Sequence, residues 1–402
     1  MKLPFFRPSL GDAEIEAVVS CLRSGWLTTG GVTRDFEREF AAYVGAKHAV
    51  AVNSCTAALH LALEAIGLRR GELVLVPTMT FAATAEVVRY FDAIPVFVDC
   101  DPVTQCIDVE QAARTIEAIH AGRPVAGLTG PYGPLRAVIP MHYAGQMADV
   151  EGIRALASAH GLAVIEDAAH TLPAFTRANA GAPWRRVGTT ADITCFSFYA
   201  NKCITTGEGG MAVTDDDALA ERMRVMSLHG MSKDAWKRYT GSGSWYYEIV
   251  APGFKYNLTD IASAIGRVQL ARADELWAER RRVAAALQAQ LSDIAGIELP
   301  HELPDRQHSW HLFSIRLDLA IWKRGRDAFI DDLKERGIAS SVHWMPLHMH
   351  PYYRETYQIP PETFPVAAAL WPRLVTLPLF PGMTDVDIAA VGDAIRAMSP
   401  RV

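Results

Sequence analysis

Lys202 stands in the run Phe196-Ser197-Phe198-Tyr199-Ala200-Asn201-Lys202-Cys203-Ile204-Thr205-Thr206-Gly207-Glu208-Gly209-Gly210. It comes just past an apolar strand, before a glycine-bearing turn, with few other charges around it. A lysine so placed is poorly sited for a surface salt bridge and well sited to lose its water. Desolvation favours the neutral amine, the form that attacks a carbonyl and holds it as a Schiff base. Taken alone, the same residue also reads as a lysine whose stem packs on a sheet. Two other segments keep it company. Val164-Ile165-Glu166-Asp167-Ala168-Ala169-His170 is an apolar strand ending in an acid. Val52-Asn53-Ser54-Cys55-Thr56-Ala57-Ala58-Leu59 opens a helix with small polar residues, Thr56 at its start.

The elements that must position these groups follow from hydrophobic periodicity. From about residue 33 to 271 the pattern alternates helix and short apolar strand. Helices are predicted over 33–44, 56–66, 82–90, 109–119, 150–160 and 218–228. Strands are predicted over 48–52, 72–76, 94–98, 137–141, 163–166, 193–198 and 211–214. Strands apolar on both faces and separated by helices imply an α/β fold with a mostly parallel sheet wrapped on both sides. Ligands of such sheets sit beyond the carboxyl ends of the strands, where Asp167 and the approach to Lys202 fall. A long helix over 259–291 then leads to a smaller α+β region, with strands over 312–317 and 339–343, a helix over 326–336 and a last helix from Asp385. Two domains are therefore expected, 1–258 and 259–402. Residues 122–133 and 300–305 read as loops, and 171–190 as an insertion.

Bulk properties narrow the function. A chain of 402 residues suits two domains, and a formal charge of −6 without a Lys/Arg run argues against a nucleic-acid partner. Arg280-Arg281-Arg282 follows Glu279 on an evident helix and reads as a solvated face. The six cysteines form no Cys-x-x-Cys pair, so neither a disulfide framework nor a zinc knuckle is expected. Met1-Lys2-Leu3-Pro4-Phe5-Phe6-Arg7-Pro8 is too short for a signal peptide, and no apolar run approaches the ~20 residues of a membrane helix. The expectation is a soluble cytoplasmic protein without a membrane partner.

The three motifs together resemble the sugar aminotransferases of the DegT/DnrJ/StrS family, from Gly25-Trp26-Leu27-Thr28-Thr29-Gly30 to Thr376-Leu377-Pro378-Leu379. The resemblance implies the aspartate-aminotransferase-like fold type I of pyridoxal-phosphate (PLP) enzymes. Such a cofactor needs a lysine, an acid at its ring nitrogen, a phosphate cradle and a stacking surface. By resemblance Lys202 is the Schiff-base lysine and proton shuttle, and Asp167 faces the pyridine nitrogen. Thr56, Ala57 and Ser197 match the phosphate-binding residues, although Thr56 could also be a plain N-cap. Phe81 matches the stacking aromatic, which would otherwise pass for core. His170 matches the position beside the cofactor's oxygen, with a buried structural histidine as the alternative. Asn257, in Gly253-Phe254-Lys255-Tyr256-Asn257-Leu258-Thr259-Asp260, matches an asparagine that reaches the neighbouring subunit's phosphate, which implies a homodimer with shared sites. Its plainer reading is a helix start capped by Thr259. Relatives usually carry Thr and Asn where this chain has Asn201 and Cys203.

The resemblance also implies the substrate. Trp26, Thr28, Thr29 and His343, with the segment 346–353, resemble contacts to a nucleotide sugar, and the run from His229 to Trp236 a loop near the sugar. His343, His348 and His350 lack a neighbouring carboxylate, so no metal site is expected. Lys255-Tyr256-Asn257 with Gly207-Glu208-Gly209-Gly210 resembles the branch that aminates C4 of a 4-keto-6-deoxy sugar, using L-glutamate through a pyridoxamine phosphate intermediate. A 3-keto sugar aminotransferase is the runner-up. A dehydratase on this fold typically replaces the lysine with histidine, and a non-catalytic homologue would be expected to lose Lys202 or Asp167. A nicotinamide dehydrogenase would want Gly-x-Gly-x-x-Gly where Asn53-Ser54-Cys55-Thr56 stands.

Overall fold

The structure is a computed structural model that describes residues 3–231 and 247–399. Strands in chain order are β1 (His48–Val52), β2 (Leu73–Pro77), β3 (Ile94–Val98), β4 (Leu135–Val138), β5 (Ala163–Asp167), β6 (Phe175–Thr176), β7 (Arg185–Arg186), β8 (Ile193–Ser197), β9 (Gly210–Thr214), β10 (Ile297–Glu298), β11 (Arg306–Gln307), β12 (Phe313–Leu317) and β13 (Leu374–Leu377). Seven of them form the main sheet, in the order β1-β9-β8-β5-β4-β2-β3. β9 runs antiparallel to both neighbours and the remaining pairs are parallel, so the sheet is mostly parallel as expected. Its strands are apolar on both faces because helices cover both.

Side-chain alternation on two strands sets up the site. On β5, Asp167 and Glu166 point to opposite faces. On the segment leaving β8, Phe196 and Phe198 pack on Phe36 and Phe40, with ring centroids 5.0 to 5.4 Å apart, while Ser197 faces the other way. This aromatic cluster anchors the strand five residues before Lys202. Glu166, fully buried, accepts from the Thr190 hydroxyl at 2.6 Å and from Thr194 at 2.9 Å. Burial pushes its carboxyl up, but the neighbouring His142 and then these hydroxyls hold it below the usual carboxylate range.

Three expectations are corrected. The helix after residue 259 is two helices, Asp260–Ala271 and Ala273–Leu291, broken at Arg272, whose guanidinium bonds Glu14 and Ser9. The first of these packs on helices Asp12–Ser24 and Gly31–Val44. No strand forms over 339–343. Its β contacts are single bridges, Leu3 with Ile338 and Ser341 with Thr376, and β12 pairs instead with β10 and β13. Segment 171–190, read as an insertion, carries β6 and β7, which pair, and β11 joins them from far along the chain. The helix Cys55–Ala65 is capped by Ser54, whose hydroxyl accepts from the Ala57 amide at 3.1 Å, so Thr56 is its second residue and not its cap. Thr259 does cap its helix, accepting from Ala262.

Candidate active site

Beyond the carboxyl ends of β5 and β8 lies a cleft of about 370 Å³. Lys202, Asp167, Thr56, Ser197, Phe81, His170 and His343 all line it, although they come from points up to 287 residues apart (343 − 56). Asp167 is buried. One carboxylate oxygen accepts from the Thr84 hydroxyl at 2.7 Å, and the other from the Ala169 amide at 3.1 Å. Thr84 is in turn held by Thr80 at 2.6 Å. Burial pushes the Asp167 carboxyl up, and these donors and the Lys202 charge oppose it. Lys202 opens onto the cleft and is otherwise enclosed by protein. That burial lowers its amine below the usual lysine range, with Asp167 pulling back toward the charged form. A lysine held toward neutrality beside a carboxylate suits a nucleophilic amine.

The turn behind Lys202 is built to touch the helix start at Ser54. A Cβ on Gly210 would sit 2.6 Å from the Cys55 amide nitrogen and closer still to the Ser54 carbonyl, so only glycine allows this approach. The first amides of a helix have no intrahelical partner, and with the Thr56 hydroxyl and Ser197, which line the cleft, they could hold a phosphate. Ala57 is buried behind that turn, with its amide taken by Ser54, and does not line the cleft. The Phe81 ring is 57% exposed, unusual for phenylalanine, and offers a free face. His170 is buried; its Nδ1 accepts from the Ala144 amide at 3.2 Å, so its proton sits on Nε2. Burial and the Lys202 charge keep its ring neutral. At the two departures from the motif, the Cys203 thiol reaches the His170 carbonyl at 3.9 Å, while the buried Asn201 Oδ1 has no partner among the described residues.

Trp26, Thr28, Thr29 and Asn257 are not in this cleft. They form a second cluster: the Asn257 amide donates to the Thr29 hydroxyl at 2.6 Å, and Thr29 donates to the Leu258 carbonyl. Lys255 pairs with Asn257, and the Trp26 indole donates to the Thr29 carbonyl at 3.2 Å. Buried Asp260 builds this corner by accepting from the amides of Gly30, Val32 and Thr33. His229 is exposed, and its amide donates to the Phe254 carbonyl at 2.7 Å. Residues 232–236 of its segment lie outside the described residues. The sequence reading missed Thr84, His311 and Trp344. Thr84 sits three residues after Phe81 and faces Asp167 only in three dimensions. His311 and Trp344 come from stretches with no distinctive spacing.

Residues 8–396 match the DegT/DnrJ/EryC1/StrS aminotransferase family. The chain belongs to that family. It is 43% identical over 395 residues to the spore coat polysaccharide biosynthesis protein SpsC of Bacillus subtilis, covering 98% of this chain and 96% of that one. Among solved structures it is similar to the putative sugar aminotransferase Spr1654 of Streptococcus pneumoniae in its PLP form, with TM-score 0.85, 28% identity, and 99% and 98% of the two chains covered. It is also similar to Helicobacter pylori PseC, an aminotransferase involved in pseudoaminic acid biosynthesis, with TM-score 0.85, 25% identity, and 99% of each chain covered. The fold is that of the type I PLP-dependent transferases, and the chain is an aminotransferase enzyme. Among the described residues no helix is long and apolar enough to cross a membrane.

Proposed function

We propose that this PLP-dependent sugar aminotransferase moves an amino group from L-glutamate to C4 of a nucleotide-linked 4-keto-6-deoxy sugar. The observation that carries the chemistry is Lys202 and Asp167 facing one cleft, the amine lowered by burial and the carboxylate held by Thr84 and Ala169. When bound, PLP supplies an electron sink for the carbon that carries the nitrogen. Asp167 holds the proton on the ring nitrogen. Thr56, Ser197 and the amides opening helix Cys55–Ala65 bind the phosphate, and Phe81 supports the ring. His170, with its proton on Nε2, donates toward the cofactor's oxygen. Lys202 would hold the cofactor covalently, and its amine, once freed, would serve as base and then acid.

Preference for C4 over C3 rests on the likeness of Lys255-Tyr256-Asn257 and the Gly207–Gly210 turn to the C4 branch. Shared sites in a homodimer are supported by the place of Asn257, outside the cleft of its own chain and beside Thr29. The test is to treat the PLP-loaded enzyme with L-glutamate, then add matched 4-keto and 3-keto nucleotide sugars. Visible absorbance of the lysine-bound cofactor should fade with glutamate and return with the 4-keto sugar. Return with the 3-keto sugar alone moves the enzyme to the other branch. No fading with glutamate removes glutamate as donor.

A further inference from the structure

One wall of the cleft is made by His170, His311, His343 and Trp344. The rings pack on one another: His170 to His311 at 4.3 Å and His170 to Trp344 at 4.9 Å between centroids. Two of the histidines have defined partners. His170 Nδ1 accepts from the Ala144 amide, and His343 Nδ1 shares a hydrogen bond with the Thr376 hydroxyl at 2.9 Å. His311 differs. It is 4% exposed and lines the cleft, yet its Nδ1 has no hydrogen-bond partner among the described residues. No protein group therefore fixes which nitrogen carries the proton, and the ring can present either a donor or an acceptor.

The loop that carries His311 is held firmly. Trp310 adopts φ 53°, a left-handed conformation a tryptophan rarely takes. Arg280, buried, donates to the carbonyls of Trp310 and His311, and the Leu312 amide donates to Ala144. Ser309 donates to the His170 carbonyl at 2.6 Å. Strain sustained by packing on both sides of one residue is a mark of a placed functional group.

We propose that His311 reads a hydroxyl of the sugar acceptor. A hydroxyl both donates and accepts, which matches a ring free to do either. An anionic group would be a poor fit: burial keeps the histidines of this wall neutral, Glu208 lines the same cleft, and among the described residues no arginine does. The wall thus sorts the two substrates that share the cleft, taking the neutral polyol and leaving the carboxylates of the amino donor to other groups. This inference rests on the sugar aminotransferase reading.

The test compares wild type with His311→Phe, which keeps a ring without polar atoms, and His311→Gln, which can still donate and accept. One measurement is calorimetric binding of a nucleotide-linked 6-deoxyhexose without a keto group, which binds but does not react. The other is the KM of each half-reaction, L-glutamate on one side and the nucleotide-linked keto sugar on the other. Phenylalanine should weaken hexose binding by about tenfold, the worth of one good hydrogen bond, and glutamine should restore most of it. The rise in KM should be at least about tenfold larger for the sugar than for glutamate. Equal losses on both sides, or unchanged hexose binding, overturn the inference. If wild type binds no nucleotide-linked hexose, the sugar reading fails first and His311 falls with it. Should His311→Phe melt far below wild type, His311→Ala takes its place in the same two measurements.

Discussion

Two clusters of sequence-recognised residues fold into opposite kinds of place. The Lys202 cleft is enclosed and crossed by hydrogen bonds that leave a lysine and an acid facing the same space. The Asn257–Thr29–Trp26 corner is half-open, and its polar groups are spent on one another. The first has what bond-making needs within one chain. The second is a shaped polar edge that lines no part of that cleft, as half of the shared site proposed above would be.

The largest effect that would break this contrast is at Lys202. Lys202→Ala should cut turnover by at least about 10⁴-fold and remove the visible absorbance of the lysine-bound cofactor. Melting of the cofactor-free variant should not fall, because a desolvated amine gives the fold nothing. A cleft variant with more than a hundredth of wild-type turnover would move the chemistry elsewhere. Next, Asp167→Asn should lower kcat by about 10²- to 10³-fold with little change in the KM of either substrate, read by steady-state kinetics.

The corner is tested by mixing. Asn257→Ala should weaken cofactor binding about tenfold, the order of one charge-assisted hydrogen bond. Co-refolded Lys202→Ala and Asn257→Ala chains should recover about a quarter of wild-type activity, since one site of each mixed dimer escapes both changes. No recovery above the separate variants would mean each chain completes its own site.

The smallest effect is acid sensitivity, and it belongs to the cleft and the cores around it. Burial lowers His343 to about 4 and His308 to about 3, and pushes His170 and His311 down as well. The unfolded chain binds these protons near pH 6.5 while the folded chain does not. Their contribution is fully present above about pH 6.5 and is lost as pH falls toward 4. Asp167 and Glu37, whose carboxyls burial raises, oppose this only in part. Tm should drop between pH 7 and pH 5, and a flat profile would mean the histidine wall is wetter than its packing implies.

The fold was largely legible because helix and strand periods differ and the strands of a covered parallel sheet are uniformly apolar. Lys202 and Asp167 were legible for a related reason: each follows a strand at the sheet's ligand-binding edge. Three things were not. Thr56 looked like the helix opener because threonine caps well, yet Ser54, two residues earlier, takes the Ala57 amide. The segment 339–343, Ala339-Ser340-Ser341-Val342-His343, has only Val342 to favour a strand, and β10 and β13 already fill both edges of β12. Thr84 and His311 carry no local signal, since what each does is set by a residue 83 or 141 positions away (167 − 84 and 311 − 170).

The close approach of Gly210 to Ser54 and Cys55 has a consequence for how such an enzyme can change over time. Two segments more than 150 residues apart are locked at backbone distance, so position 210 accepts no side chain without moving the backbone of Ser54 and Cys55. A mutational library across that seam should come back nearly empty. Novelty is left to the histidine wall, whose side chains meet through rings and not through backbone. Descendants of this chain can drift in what they accept while the seam passes unaltered from copy to copy.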